Sequence, residues 1–469
     1  MQLFSPVFLA SIYAAATTAS ASPAFAERDQ SSSQVATTYN TPVSQYNFDD
    51  ASYNYCQATY PSAQSYSSVP DATLEMVQVV VRHGDRTSYV VLPNENETWN
   101  CDGVEENTYL HVTGSSSRNT TGSFKQVIEI PKWNSKYGFS NQVWAGSCDI
   151  GELTDIGKAQ HRKLGKQLRE IYVNKINFLP PWLKDTSSVY FRTTYIWRTK
   201  NSGESLIGSL YPGRDIGSDD AIPMHTYPQS IETMIDNPTA CPKLNTYSAQ
   251  IYGSAPFQQF LKDQGPLMSR ISGILGVSGP MWTASWSGYV DALLPRKCHS
   301  KPLPCRYVNG QKTTDCVTEE DVKQAMRNGS FEWTFKYRDH PLSGDYARLA
   351  IGSFLATLRD QIQDHVSGAA SGPKFSLYSG HDTTVAALLG ALKASNADML
   401  WPPYASNLVF ETWKKKDGSY VVRIVSNGHV LQLQDGQKWC DLSSCPLDSF
   451  NKYLATLIPT DIAAQCANN

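Results

Sequence analysis

Five consecutive residues, Arg82-His83-Gly84-Asp85-Arg86, stand directly behind the apolar run Leu-Glu-Met-Val-Gln-Val-Val-Val at 74–81. Two guanidinium groups beside one imidazole disfavour imidazolium, and a neutral imidazole is a nucleophile. Fixed positive charge suits a phosphate dianion, and arginine offers its oxygens planar, bidentate hydrogen bonds. Gly84 lets the backbone approach a ligand closely. The plain alternative is a core histidine flanked by surface ion pairs. Crowding of both arginines around one histidine at the end of an apolar strand favours function. Asp85 reads as a support that orients an arginine rather than as a direct contact.

Two further clusters have the same form. In Phe-Arg-Thr-Thr-Tyr-Ile-Trp-Arg-Thr, Arg192 is read as standing where a strand ends and a helix begins. A helix N-terminus is itself an anion site, so Arg192 adds a third cation. Arg198, six residues on, is as consistent with a structural role as with a functional one. In Tyr-Ser-Gly-His-Asp-Thr-Thr, His381 and Asp382 close the run Lys-Phe-Ser-Leu-Tyr and open an apolar helix. In an open α/β sheet the carboxyl edge of the strands is where ligands bind, and all three clusters are expected on that edge.

In combination and order, Arg-His-Gly-Asp-Arg, Phe-Arg-Thr-Thr…Trp-Arg-Thr and Gly-His-Asp resemble the histidine phosphatase superfamily, in its acid phosphatase and phytase branch. The likeness runs from about residue 75 to 466. The motifs look most like secreted or lumenal acid phosphatases, such as the lysophosphatidic acid and 2-phosphoxylose phosphatase types. The resemblance implies that His83 attacks phosphorus to form a phosphohistidine. It implies that Arg82, Arg86, Arg192 and His381 hold the phosphoryl oxygens, and that Asp382 protonates the leaving alkoxide and then helps activate water. The chemistry agrees: an alcohol leaves poorly unless protonated, preorganised cations stabilise the transferred group, and a covalent intermediate divides one hard step into two. No metal or cofactor is required on this reading, and the substrate is a small phosphate monoester. The family often has proline two residues after the second arginine. This chain has Ser88, which leaves the shape of the adjoining loop open. A phytase-like inositol phosphate hydrolase is the nearer alternative. A non-catalytic secreted binding protein on the same scaffold is the more distant one, and retention of both His83 and Asp382 argues against it.

The elements that must position these residues are legible in outline. The runs at 74–81, 188–194 and 374–380 read as short buried strands. The runs at 407–413 and 419–428 read as a hairpin about Lys-Lys-Lys-Asp-Gly. Apolar residues at helical spacing mark helices over 153–175, with Thr154 as N-cap, and over 344–366. Strand–helix alternation predicts an α/β fold: a three-layer sandwich with a mostly parallel central sheet flanked by helices. The core is expected over 71–215 and 336–469, interrupted at 216–335 by an inserted cap domain rich in Pro, Gly, Ser and Trp. Residues 27–70, with few aliphatics, read as a low-complexity flexible leader, pinned if Cys56 is bonded.

The bulk composition sets the setting. The 469 residues carry a formal net charge of −3 and no long basic run, which gives no reason to expect nucleic acid. Residues 1–26 read as a secretory signal peptide with cleavage after Ala21 or Ala26, although the n-region lacks Lys and Arg. No later segment reaches membrane length, so no stable insertion is expected. Ten dispersed cysteines without a Cys-x-x-Cys pair, together with sequons at Asn96, Asn119 and Asn328, fit a disulfide-bonded glycoprotein that is secreted or held in the secretory-pathway lumen.

Overall fold

The computed structural model describes residues 53–101, 105–112, 119–126, 145–212, 222–368 and 372–467. The predicted signal peptide and residues 27–52 of the leader lie outside them. One mixed sheet organises the chain. Its strands are β1 (Ala72–Arg82), β2 (Val189–Thr193), β3 (Met224–Thr226), β4 (Phe375–Gly380), β5 (Asn407–Lys415), β6 (Tyr420–Ser426), β7 (His429–Val430) and β8 (Cys445–Pro446). Their order is β7-β6-β5-β1-β4-β2-β3, with β8 beside β6. β1, β4, β2 and β3 are parallel, and β5 runs antiparallel to both β1 and β6. The three strand ends that carry the charged clusters therefore belong to adjacent parallel strands.

The helices used below are α1 (Asp155–Arg169), α2 (Trp197–Leu210), α3 (Lys243–Gly253), α4 (Ala255–Leu275), α5 (Ser287–Cys298), α6 (Glu319–Thr334), α7 (Ser343–Ala350), α8 (Gly352–Ser367), α9 (Asp382–Ala391) and α10 (Leu447–Leu457). Side chains alternate across a strand, so β1 feeds two cores. Val77, Val79 and Val81 pack with Leu164 and Leu168 of α1 and Leu206 of α2. Met76 and Val80 pack with Phe354 and Leu358 of α8, Leu388 of α9 and Phe450 of α10. Burial on both faces is why β1 reads as a continuous apolar run, each valine contributing about 1.5–3 kcal/mol. The expected three-layer α/β sandwich is the observed one.

Several local expectations need adjusting. The sheet reaches into the stretch read as an insertion: β3 pairs with β2 through Phe191 and Met224. The apolar residues of α4 and α5 join the same cluster as those of α8 and α9, so this stretch shares the core's packing. The long helix expected over 344–366 is two helices. They break at Ile351, where a side chain on Gly352 would come within 2.3 Å of the Leu457 carbonyl. Thr154 does cap α1, accepting from the Gly157 amide. The later part of the leader is not loose. Tyr55 and Ala58 are buried, and Cys56 is bonded to Cys298 at the end of α5.

The other disulfides are Cys101–Cys148, Cys241–Cys466, Cys305–Cys316 and Cys440–Cys445, which leaves no free thiol. Among the described residues, no helix is long and apolar enough to cross a membrane. The sequons part company here. Asn96 is exposed, and the Asn119 side chain lies outside the described residues. Asn328 is wholly buried in α6, its amide donating to Gln264 Oε1 at 3.0 Å. A glycan cannot be seated there. Peptide mapping of protein made in a glycosylating host is expected to find Asn328 unmodified; a glycopeptide spanning it would contradict this packing.

Candidate active site

β1 and β4 pair in register at Arg82 and Gly380, so His83 and His381 leave the sheet side by side. Their rings lie 5.6 Å apart, edge to face. Gly84 sits against α1 so tightly that a Cβ on it would come within 2.4 Å of the Gly157 carbonyl oxygen. No other residue fits that approach, and it lets the loop turn across the start of α1. The Gly84 amide donates to Ser202 Oγ on α2 at 3.0 Å, which fixes the loop from the second side.

Hydrogen bonding sets the state of His83. Its Nδ1 lies 2.8 Å from the Gly84 carbonyl, an acceptor only, so Nδ1 carries the proton and Nε2 keeps its lone pair. Burial, then the charges of Arg198, Arg82 and Arg86, hold the imidazole well below its ordinary pKa. His381 is depressed in the same way, by burial and the same arginines. Its Nδ1 accepts from Arg198 Nη2 at 3.1 Å. Its Nε2 therefore donates to Thr194 Oγ1 at 2.9 Å, and Thr194 Oγ1 lies 2.8 Å from Thr199 Oγ1.

Asp382, the first residue of α9, meets Arg82 Nη2 at 2.9 Å and accepts from Trp401 Nε1 at 3.2 Å. Burial pushes this carboxyl up. Arg82, Arg86, the Trp401 donor and Arg198 outweigh that and hold it below the usual carboxylate range. Arg86 is gripped by Asp291 of α5, with Nη1 2.8 Å from Oδ1. The Asp291 Oδ2 also accepts from Ser88 Oγ at 2.7 Å and the Tyr89 amide at 2.8 Å. A carboxylate from a distant helix thus shapes the loop at the position where the family often has proline. Asp85 makes no contact with a guanidinium. Its Oδ1 accepts from the Arg86 amide at 2.7 Å, so it braces the backbone, and burial raises its pKa to about 8. His299, at the end of α5, is partly buried. Its Nδ1 lies 3.8 Å from Asp85 Oδ1, and its Nε2 lies 3.2 Å from Thr154 Oγ1.

A family model, the histidine phosphatase superfamily (branch 2), matches residues 73–427. The chain belongs to that family. Counting factor 60 of Dictyostelium discoideum is 30% identical over 407 residues, covering 85% of this chain and 89% of the relative. Human 2-phosphoxylose phosphatase 1 is 28% identical, covering 81% and 77%. Lysosomal acid phosphatase of Xenopus laevis is 26% identical, covering 67% and 71%. Among solved structures, the Hafnia alvei phytase superposes with a TM-score of 0.54 at 14% identity, covering 86% of this chain and all of that one. That likeness establishes the fold. The named relatives make this histidine phosphatase a phosphoric monoester hydrolase.

Within the sheet, Arg192 lies apart from the other predicted residues. Arg192 pairs with Tyr378, and Thr193 with Ser379, so Arg192 lies two residues below the level of Arg82 and Gly380. At about 3.3 Å per residue that is some 6–7 Å deeper in the sheet. Its Nη2 is bound to Glu232 at 2.5 Å, with both side chains fully buried, and its guanidinium lies 3.6 Å from the Tyr227 ring. It is already engaged as a structural ion pair. Arg198, in the first turn of α2, is the residue that reaches His381. The available signal was strand register: only the residues after Thr193 are level with His83. Replacing Arg198 by alanine is expected to lower kcat/KM by roughly 10²–10³-fold with little change in melting temperature. Replacing Arg192 by alanine is expected to destabilise the fold by about 3–5 kcal/mol, because it strands a buried Glu232. Kinetics and thermal melts on the two variants check the contrast; the reverse pattern would restore Arg192 to the pocket.

Proposed function

We propose that this histidine phosphatase is a secreted acid phosphatase that hydrolyses monoesters through a phosphohistidine on His83. Arg82, Arg86 and Arg198 hold the phosphoryl oxygens in this reading, and His381 joins them by turning to the phosphate the Nε2–H that it gives Thr194 in the free site. The observation that carries it is the His83 tautomer: Nδ1–H is committed to a backbone carbonyl, leaving the lone pair on Nε2 of an imidazole that burial and the charges of Arg198, Arg82 and Arg86 keep from protonation. The Nε2 lone pair forms the N–P bond as the P–O ester bond breaks. The Asp382 proton passes to the departing oxygen, which leaves as an alcohol. The Asp382 carboxylate then takes a proton from the water that attacks phosphorus. The N–P bond breaks, phosphate departs, and imidazole and carboxylic acid are restored.

Charge decides the order of events. With three arginines nearby, Asp382 is ionised in the free site. A bound dianion offsets those arginines and lets the carboxyl hold a proton near the leaving group. His83 stays neutral at acidic pH because its pKa is depressed. Both effects favour turnover below neutrality. Five disulfides among ten cysteines support an oxidising compartment. The test is chemical trapping: radiolabelled aryl phosphate is mixed with enzyme and quenched in alkaline denaturant, where a phosphoramidate survives. Label on His83 is the expected result. Label on no residue, with full activity, would overturn the covalent route.

A further inference from the structure

The two arginines flanking His83 are each held by an element from elsewhere in the chain, and those two elements are bonded to each other. Arg86 is held by Asp291 of α5. Arg82 is held by Tyr55, whose hydroxyl oxygen accepts from Arg82 Nη2 at 3.1 Å. The Tyr55 ring lies 5.1 Å from the same guanidinium and 5.0 Å from the Tyr404 ring, which itself lies 4.3 Å from Arg82. Tyr55 comes from the leader, outside residues 73–427 matched by the family model. The disulfide Cys56–Cys298, spanning 242 residues, joins the residue after Tyr55 to the last residue of α5.

The leader is locked in place by more than that bond. The Tyr404 amide donates to the Tyr55 carbonyl at 3.0 Å, and the Ala58 amide to the Tyr404 carbonyl at 2.8 Å. Gln160 on α1 donates to the Cys56 carbonyl at 2.6 Å, while its Oε1 accepts from the Asp85 amide at 2.8 Å. A tyrosine held on two sides by backbone and side-chain bonds offers Arg82 a fixed acceptor. Tyr55 and Asp382 take both protons of Arg82 Nη2, and Nη1 donates to the Pro402 carbonyl, so these acceptors together fix the guanidinium plane offered to phosphate and the place of the acid. Small errors in the direction of such a fork are costly in phosphoryl transfer.

We propose that Tyr55 is a positioning residue for phosphoryl transfer: its hydroxyl aims Arg82 at the bound phosphate. This rests on the reading of Arg82 as a phosphate-holding residue. Tyr55→Phe keeps the ring and removes only the acceptor. It is expected to raise the inhibition constant of inorganic phosphate about tenfold and to lower kcat/KM to a similar extent, the effect of one hydrogen bond to a charged group. The melting temperature is expected to stay within about 2 °C, since the ring packing survives. A purely structural Tyr55 would leave the inhibition constant where it was. Arg82→Lys, measured alongside, separates the two claims. An unchanged constant in both variants would overturn the underlying role of Arg82, and the proposal with it. A large rise in Arg82→Lys with none in Tyr55→Phe would overturn the role of Tyr55 alone. A Cys56→Ser/Cys298→Ser double variant that folds is expected to show a rise at least as large as that of Tyr55→Phe.

Discussion

Replacing His83 by alanine is expected to reduce turnover of a simple aryl phosphate by at least about 10⁴-fold, because it removes the nitrogen that forms the N–P bond. The change removes an imidazole that burial and three arginines already hold neutral, so it subtracts no net charge from the site. Arg82, Arg86 and Arg198 remain, and inorganic phosphate is expected to bind the variant still. Steady-state kinetics with a phosphate titration check this. Activity within tenfold of the parent enzyme would show that His83 is not the nucleophile. Loss of phosphate binding along with turnover would show that the loop had collapsed instead.

Replacing Asp382 by asparagine should separate substrates by their leaving groups. An alkyl ester needs its oxygen protonated as the bond breaks and should lose roughly 10²–10⁴-fold in kcat. A nitrophenyl ester departs as a stable anion and should lose far less. The pH dependence follows from the same carboxyl. General acid catalysis requires the protonated form, so activity falls as pH rises through the Asp382 pKa. In the free enzyme Arg82, Arg86, the Trp401 donor and Arg198 hold that pKa low against the upward push of burial. A bound phosphate dianion offsets the arginines. The falling limb in kcat, which reports the complex, is therefore expected at higher pH than the limb in kcat/KM, which reports the free enzyme. Coincident limbs, or equal losses on both ester types, would remove Asp382 from the acid role.

How much of this site could be read from sequence depends on how each residue is fixed. His83, His381 and Asp382 were legible because local pattern marks them: an apolar run and then charge, followed for His381 and Asp382 by a helix. Arg192 and Arg198 were not separable in that way. Both flank one strand end, and only the pairing of Arg192 with Tyr378 reveals that it lies too deep. Asp291 and Tyr55 carry no local signal at all, since one lies in the interior of a helix and the other in a leader of low complexity. Tertiary contacts across about 200 residues bring Asp291 to the loop, and a disulfide and two backbone bonds fix Tyr55. The sheet itself was legible because strands buried on two faces must be apolar throughout, and β1 and β4 largely are. The break at Ile351 was not, because apolar residues at helical spacing run straight through it.

In this mechanism a single cationic pocket converges on His83. A crystal structure of the enzyme with bound vanadate tests it most directly. The oxyanion is expected to contact Arg82, Arg86, Arg198 and His381, with His83 Nε2 on the vanadium and Arg192 still paired with Glu232. A vanadate held by Arg192, or one bound away from His83 Nε2, would contradict it.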